Sequence, residues 1–276
     1  MTGLESRHPE LDRVQGLALL AGLAALVACA GAGFVSPRFF FPSYLVAFLF
    51  WVGISLGSSA LAMLHNLTGG QWGLVIRRPL EAGALTVVPM ALMFVPVAIG
   101  LKTLYPWTDP AIVASHESIR HKVSYLNENA FLIRAAGGFL VWIVVATLLN
   151  VAASRRDRTG SPPGWMAALS GPGLALVFVT GSFAAIDWGM SLEPDWYSSM
   201  YGAMVIVGWG LLTFALMIVV TACLARRSPD VASVATPARM QDLGNLMLAF
   251  VMLWAYLAFS QFLIIWCGGG RKGGLT

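Results

Sequence analysis

Seven stretches of this sequence run for about twenty residues with almost no charge, over 14–34, 44–64, 80–101, 132–153, 170–191, 200–224 and 243–266. An apolar helix of about that length matches the ~30 Å hydrocarbon thickness of a bilayer. Only 11% of residues are charged, against roughly 25% in soluble domains, so most of the 276 residues cannot face water. The fold class is therefore an all-α integral membrane protein with about seven transmembrane helices. The first span is too long for the apolar core of a signal peptide, and the residues before it mix acids and bases.

Orientation follows from the basic residues. Arg7, Arg13, Arg77, Arg78, Arg155, Arg156, Arg158, Arg226, Arg227 and Arg239 fall on the side shared with the N-terminus. Arg38, Lys102, Arg120, Lys122, Arg134, Arg271 and Lys272 fall on the other. The positive-inside rule then predicts a cytoplasmic N-terminus. The formal charge of +4 is scattered among loops, with no continuous stripe to track phosphates, so no nucleic-acid partner is expected.

Several chemistries lack their residues. Cys29, Cys223 and Cys267 stand singly, with no CxxC pair for an iron–sulfur cluster or c-type haem. A b-type haem between spans needs two membrane-buried histidines, and only His65 qualifies, because His8, His116 and His121 lie in extramembrane segments. No phosphate-binding loop or dinucleotide fingerprint occurs. The stretch "HESIRH", His116 to His121, is one residue too long for the zinc-protease pattern. A five-residue step turns the second imidazole about 140° round a helix, so the segment reads as a solvated outer loop.

Two polar groups stand out. The first is "MLHNLTGGQWGLVIRRPLEAG", Met63 to Gly83, between spans two and three. Gly69–Gly70 predicts a turn, and Pro79 with Glu81 predicts the first turn of a helix. His65, Arg77, Arg78 and Glu81 form either a lipid-headgroup anchor or a polar proton entry on the inner side. Asn66-Leu67-Thr68 matches a glycosylation acceptor but falls on the inner side, where that reading is discarded. The second is "IDWGMSLEPDWYSSMYG", Ile186 to Gly202, on the outer side. Asp187 lies about one turn inside span five, where an ionised acid must be offset by water, protonation or a cation such as Arg134. Glu193 and Asp195 read as loop charges, and Trp188, Trp196, Tyr197 and Tyr201 as an interfacial aromatic belt.

Between these groups, Pro89 and Pro96 bend span three and free backbone carbonyls. Gly53 and Gly57 present a small-residue packing face in span two. Span seven carries Asp242 and Asn245 near its inner end, with Tyr256, Ser260 and Gln261 in its outer half. Facing a bundle interior, these side chains either hold water or hydrogen-bond a neighbouring helix.

The segments "LHNLTGGQWGLVIRRPLEA", "YPWTDP", "HKVSYLN", "LSGPGLALVF", "FAAIDWGMSLEPDWYS" and "LAFVMLWAYLAFSQFLIIW" occur in that order. Together, over about residues 35–267, the chain resembles the ActF type of integral membrane subunit of bacterial alternative complex III. That type belongs to the NrfD-like (polysulfide-reductase membrane subunit) superfamily. The resemblance implies a membrane subunit of a respiratory quinol:cytochrome c, or quinol:acceptor, oxidoreductase in the bacterial inner membrane. Such a subunit is not catalytic alone and binds no cofactor of its own. Quinol is the substrate of the complex, haem c and iron–sulfur clusters sit in partner subunits, and a sister NrfD-like subunit is among the partners. It also implies a division into an N-terminal segment (1–13), a leading helix (14–34), a first four-helix bundle (44–191) and part of a second (200–266). The Gly-rich stretch 267–276 departs from the family pattern and is expected to mark a truncation. On matching positions, Asp187, His65, Arg77, Arg78 and Glu81 are expected on proton half-channels. Two other classes stay open: a proton-coupled secondary transporter and a purely structural anchor.

Overall fold

The computed structural model describes residues 9–269; the expected N-terminal segment and Gly-rich tail lie largely outside them. In chain order the helices are α1 (Pro9–Val35), α2 (Pro37–Thr68), α3 (Trp72–Leu85), α4 (Val87–Met93), α5 (Val95–Ile99), α6 (Leu101–Leu104), α7 (Pro110–Ser115), α8 (Glu117–Arg120), α9 (Glu128–Thr159), α10 (Trp165–Trp188), α11 (Tyr201–Ala225), α12 (Pro229–Val234) and α13 (Pro237–Gly269). Short 3-10 turns occupy Pro106–Thr108 and Met190–Leu192, and no strand occurs among the described residues. Seven helical stretches there are long and apolar enough to cross a membrane. The chain is a multi-pass, all-α membrane protein.

Helices overrun the expected spans. The second runs from Pro37 to Thr68 rather than 44–64, and the third begins at Trp72 rather than near residue 80. A bilayer limits the apolar part of a helix, but backbone hydrogen bonding continues through the headgroup layer. Pro79 consequently lies inside α3, not in its first turn. The Gly69–Gly70 turn forms as expected, both residues having positive φ (67° and 96°), which glycine adopts without a Cβ penalty.

The third span is segmented around its prolines, and neighbours satisfy the loosened backbone. Tyr44 of α2 donates its hydroxyl to Met93 O at 2.7 Å, next to the α4–α5 break. At the α3–α4 break, Thr86 donates to Gly83 O at 2.6 Å and shares a 2.6 Å hydrogen bond with Ser55. These hydroxyls add hydrogen bonds at the two breaks, on carbonyls near those that Pro89 and Pro96 leave without their usual donors.

α2 is the central element, touching α3, α9, α10 and α11, while α13 packs on α11 and α3 and α1 packs on α2. The main core joins Phe48, Phe94, Phe139, Trp142 and Trp188, with ring centroids 5.1–5.8 Å apart along the contacting pairs. Here the belt expectation fails for Trp188, which is 1% exposed. Its neighbours arrive from α2, α4–α5 and α9, and their convergence is not a property of span five. Tyr197 does project outward.

The α2–α11 contact depends on Gly53 and Gly57. A Cβ on Gly53 would overlap the Trp209 indole, and one on Gly57 would meet Thr213 and lie 2.8 Å from Trp209 O. A backbone oxygen cannot swing aside, so Gly57→Ala is expected to lower stability by about 1–3 kcal/mol, the range for overpacking. Detergent unfolding midpoints check this against Gly137→Ala, which enters open space. Equal midpoints for the two variants would rule out the tight contact.

Candidate functional site

Two polar clusters occupy opposite ends of the bundle, about 33 Å apart by the rise of α9 between Arg134 and Arg156. At one end Asp187 sits in the last turn of α10, where the helix dipole disfavours an anion. Its side chain is 3% exposed. Arg134, in the second turn of α9, supplies the compensation: Nε donates to Oδ2 at 2.7 Å and Nη2 to Oδ1 at 3.0 Å. This two-point geometry is the strong form of the carboxylate–guanidinium pair.

The loop before α9 locks the arginine. Nη1 donates to Tyr125 O at 3.0 Å, and the guanidinium lies 3.8 Å from the Tyr125 ring centroid, a cation–π contact. The Tyr125 hydroxyl is buried on the Asp187 side of the arginine. Burial first, then the negative charge of Asp187, pushes the Tyr125 phenol above its ordinary pKa. Tyr105 is raised for the same two reasons, and its hydroxyl donates to Trp188 O at 3.1 Å. Lys122 clamps the neighbouring loop, donating to Pro194 O at 2.6 Å. Glu193 and Asp195 are exposed and lie outside the Arg134–Asp187 pair.

Beside the ion pair, α9 and α10 enclose an open groove of about 400 Å³. Gly137, Gly138, Val141 and Phe183 line it, and Trp142 donates Nε1 to Thr180 at 2.8 Å on its wall. Its lining is mostly apolar, with Thr180 on the wall and the ion pair at one end.

At the other end, Glu81 and Asp157 are bridged by two arginines. Arg156 Nη2 donates to Glu81 Oε1 at 2.8 Å and to Asp157 Oδ1 at 3.2 Å. Arg78 Nη1 reaches Asp157 Oδ2 at 2.6 Å and Glu81 Oε2 at 3.4 Å. Arg77 joins no ion pair among the described residues, and its Nε is buried without a partner, as is that of Arg156. His65 stands beside this network: its ring meets Trp72 edge-on at 5.1 Å, and Nε2 lies 3.2 Å from Gly70 O. His65, Asn66, Arg77 and Glu81 line a void of about 10 Å³, near the smallest that holds one water.

His65, Arg77, Arg78 and Glu81 are thus neighbours, but the sequence reading missed Arg156 and Asp157, counting the arginine only toward topology. A signal existed. Arg156 lies three and four residues after Ala153 and Ala152, on the buried stripe of α9 that Leu149 begins.

Span seven presents most of its polar residues outward. Asp242, Asn245 and Tyr256 do not face a bundle interior; all three are exposed. Ser260 is half-buried, and only Gln261 is buried, accepting a short hydrogen bond from Ser198. In an apolar helix every face tolerates burial, so the direction of its few polar residues is set by which neighbours are present.

Among the described residues no three His, Cys, Asp or Glu side chains group as metal ligands, and the three cysteines are unpaired and exposed. His121 pairs with Glu117 at 3.7 Å on the exposed loop, consistent with a solvated "HESIRH" segment. No protein-family model matches the chain, and no curated protein matches it either.

Proposed function

We propose that this chain is a non-redox membrane subunit of a respiratory quinol:acceptor oxidoreductase, with the N-terminus on the cytoplasmic side of a bacterial inner membrane. On this reading it is of the ActF type within the NrfD-like superfamily, its helices divide between one complete and one partial bundle, and a sister NrfD-like subunit is its partner. Quinol is the substrate of the assembly. Haem c and iron–sulfur clusters belong to other subunits.

The observation that carries the proposal is a pair of ionic clusters at opposite ends of the bundle, with an aromatic cluster between them. Asp187 with Arg134 marks one end and the Glu81–Arg156–Asp157–Arg78 network the other. Between them Phe48, Phe94, Phe139, Trp142 and Trp188 pack as an aromatic cluster, followed along α2 by the buried hydroxyls of Ser55, Ser58 and Ser59. Such an arrangement supports two half-channels, one from each end. His65 and Glu81 serve the inner half, with Arg77 and Arg78 holding the local charge positive. Asp187 ends the outer half, held in a two-point pair by Arg134.

The test is the company the chain keeps. Extracted from native membranes in mild detergent, it is expected in a large assembly whose c-type haem bands become reduced on adding quinol. A colourless particle of only its own mass would overturn the proposal and favour a proton-coupled transporter.

A further inference from the structure

The exposed face of α9 changes character in its last three turns. Nearer Arg134 it turns Ile133, Leu140 and Val144 outward, as a lipid-facing helix does. From Thr147 onward polar side chains join that face: Thr147, Ser154, Arg155 and Arg158 are exposed, and Asn150 is half-buried. With Leu85 of α3 they line an open groove of about 390 Å³ at the arginine-rich end of the bundle. By the helical rise, Asn150 and Thr147 lie about 7.5 Å and about 12 Å deeper than Arg155, inside the expected span.

The positive charge of this groove is uncompensated. Asp157, next in the chain, and Glu81, across on α3, are both engaged by Arg78 and Arg156. Arg155 and Arg158 join no ion pair among the described residues, and Arg155 has only the Trp165 ring, 6.0 Å from its centroid. Ser154 donates to Asn150 Oδ1 at 3.5 Å, which leaves the Asn150 amide nitrogen as a donor. The groove thus offers two cations at the headgroup level and neutral donors beneath them. It calls for an occupant made of acceptors, an anion above and carbonyl oxygens below. Helical neighbours three residues apart have Cβ atoms about 5–6 Å from one another, so Arg155 and Arg158 can share one phosphate.

We infer that this groove holds an anionic phospholipid, its phosphate between Arg155 and Arg158 and its ester carbonyls toward Asn150 and Thr147. An acyl chain then runs along Leu85 and the exposed Val88 of α4. A further helix fits less well. α9 packs on α10, α3, α4 and α2, whereas α13 packs on α11 and α3. Segments that complete the second bundle gather around α11 and α13, on the other side of α3 from the groove. The backbone acceptors of a membrane helix are already used within it, so an apolar helix leaves both cations unpaired. A phospholipid brings the missing anion with it. Binding there does not depend on which reaction the chain serves.

The test is native mass spectrometry of the protein extracted in mild detergent and titrated with dioleoyl phosphatidylglycerol or dioleoyl phosphatidylcholine. One phosphatidylglycerol is expected to stay bound at concentrations where phosphatidylcholine does not. R155Q combined with R158Q is expected to weaken that adduct about thirtyfold, the effect of two cations at an anionic surface. N150L is expected to weaken it several-fold. R226Q combined with R227Q removes two exposed arginines at the same membrane end and is expected to leave the adduct unchanged. Equal binding of the two lipids, or equal loss in both arginine pairs, would mean annular lipid only and overturn the inference. A benzophenone residue at Val151, on the groove wall, gives an independent reading in native membranes should the first pair fail to fold. Adducts to phospholipid are expected; adducts to a peptide, of this chain or another, would overturn the inference.

Discussion

Replacing Asp187 with Asn is expected to cost on the order of 3–5 kcal/mol, because it leaves Arg134 largely buried beside a neutral amide. The arginine cannot shed its proton, and its Nε and Nη2 lose their charged acceptor. Its remaining contacts, the Tyr125 carbonyl and ring, orient the guanidinium without neutralising it. Replacing both partners, as Asp187→Leu with Arg134→Met, is expected to recover most of the loss, since an apolar pair carries no desolvation cost. Unfolding in increasing denaturing detergent, followed by tryptophan fluorescence, compares the three proteins. A single variant as stable as the parent would mean that the pair is solvated in the membrane. On the functional side, Asp187→Asn is expected to abolish proton coupling in the assembled complex, and unchanged coupling would remove the outer half-channel.

The second large effect is expected for Trp188→Ala, about 3–5 kcal/mol for removing a fully buried indole. Four aromatic rings contact Trp188: Phe48, Phe94, Phe139 and Trp142. In a bilayer the apolar side chain gains little by leaving lipid, so the cost arises from lost packing and the cavity. Trp188→Phe keeps part of that packing and is expected to fall well below the alanine cost. The same unfolding assay separates the variants, and a small penalty for alanine would place Trp188 at the lipid surface as an ordinary belt residue. Because Trp188 also walls the groove beside Asp187, the alanine variant is expected to admit water to the aromatic layer. Faster deuterium exchange at the α10 backbone would report that.

How much of the site was legible depended on whether the relevant physics was local. Gly53 and Gly57 were readable because close helix approach needs small residues at a four-residue step, whatever the partner. That Trp209 and Thr213 are what they admit was not readable, because α11 is 150 residues away in sequence. Arg134 was recognisable as a cation at the depth of Asp187, since both lie near the same end of adjacent spans. The locking contacts from Tyr125 depend on how the loop of residues 105–127 folds back, which no period in the chain encodes.

The sequence by itself determined the helical class, the stretches long and apolar enough to cross a membrane and the residues on which charge is concentrated. Each follows from a short-range rule: a helix rises 1.5 Å per residue, hydrocarbon is about 30 Å thick, and a buried charge is costly wherever it sits. Only the tertiary structure decided which faces turn inward. Trp188 joins the core, Arg156 and Asp157 complete the Glu81 network, Pro79 lies within a helix, and Tyr256 turns outward. The physical reason is that lipid and protein interior are similarly apolar, so a membrane helix carries little amphipathic pattern to orient it. Inward and outward are then set by side-chain fit and by a few hydrogen bonds between spans distant in the chain.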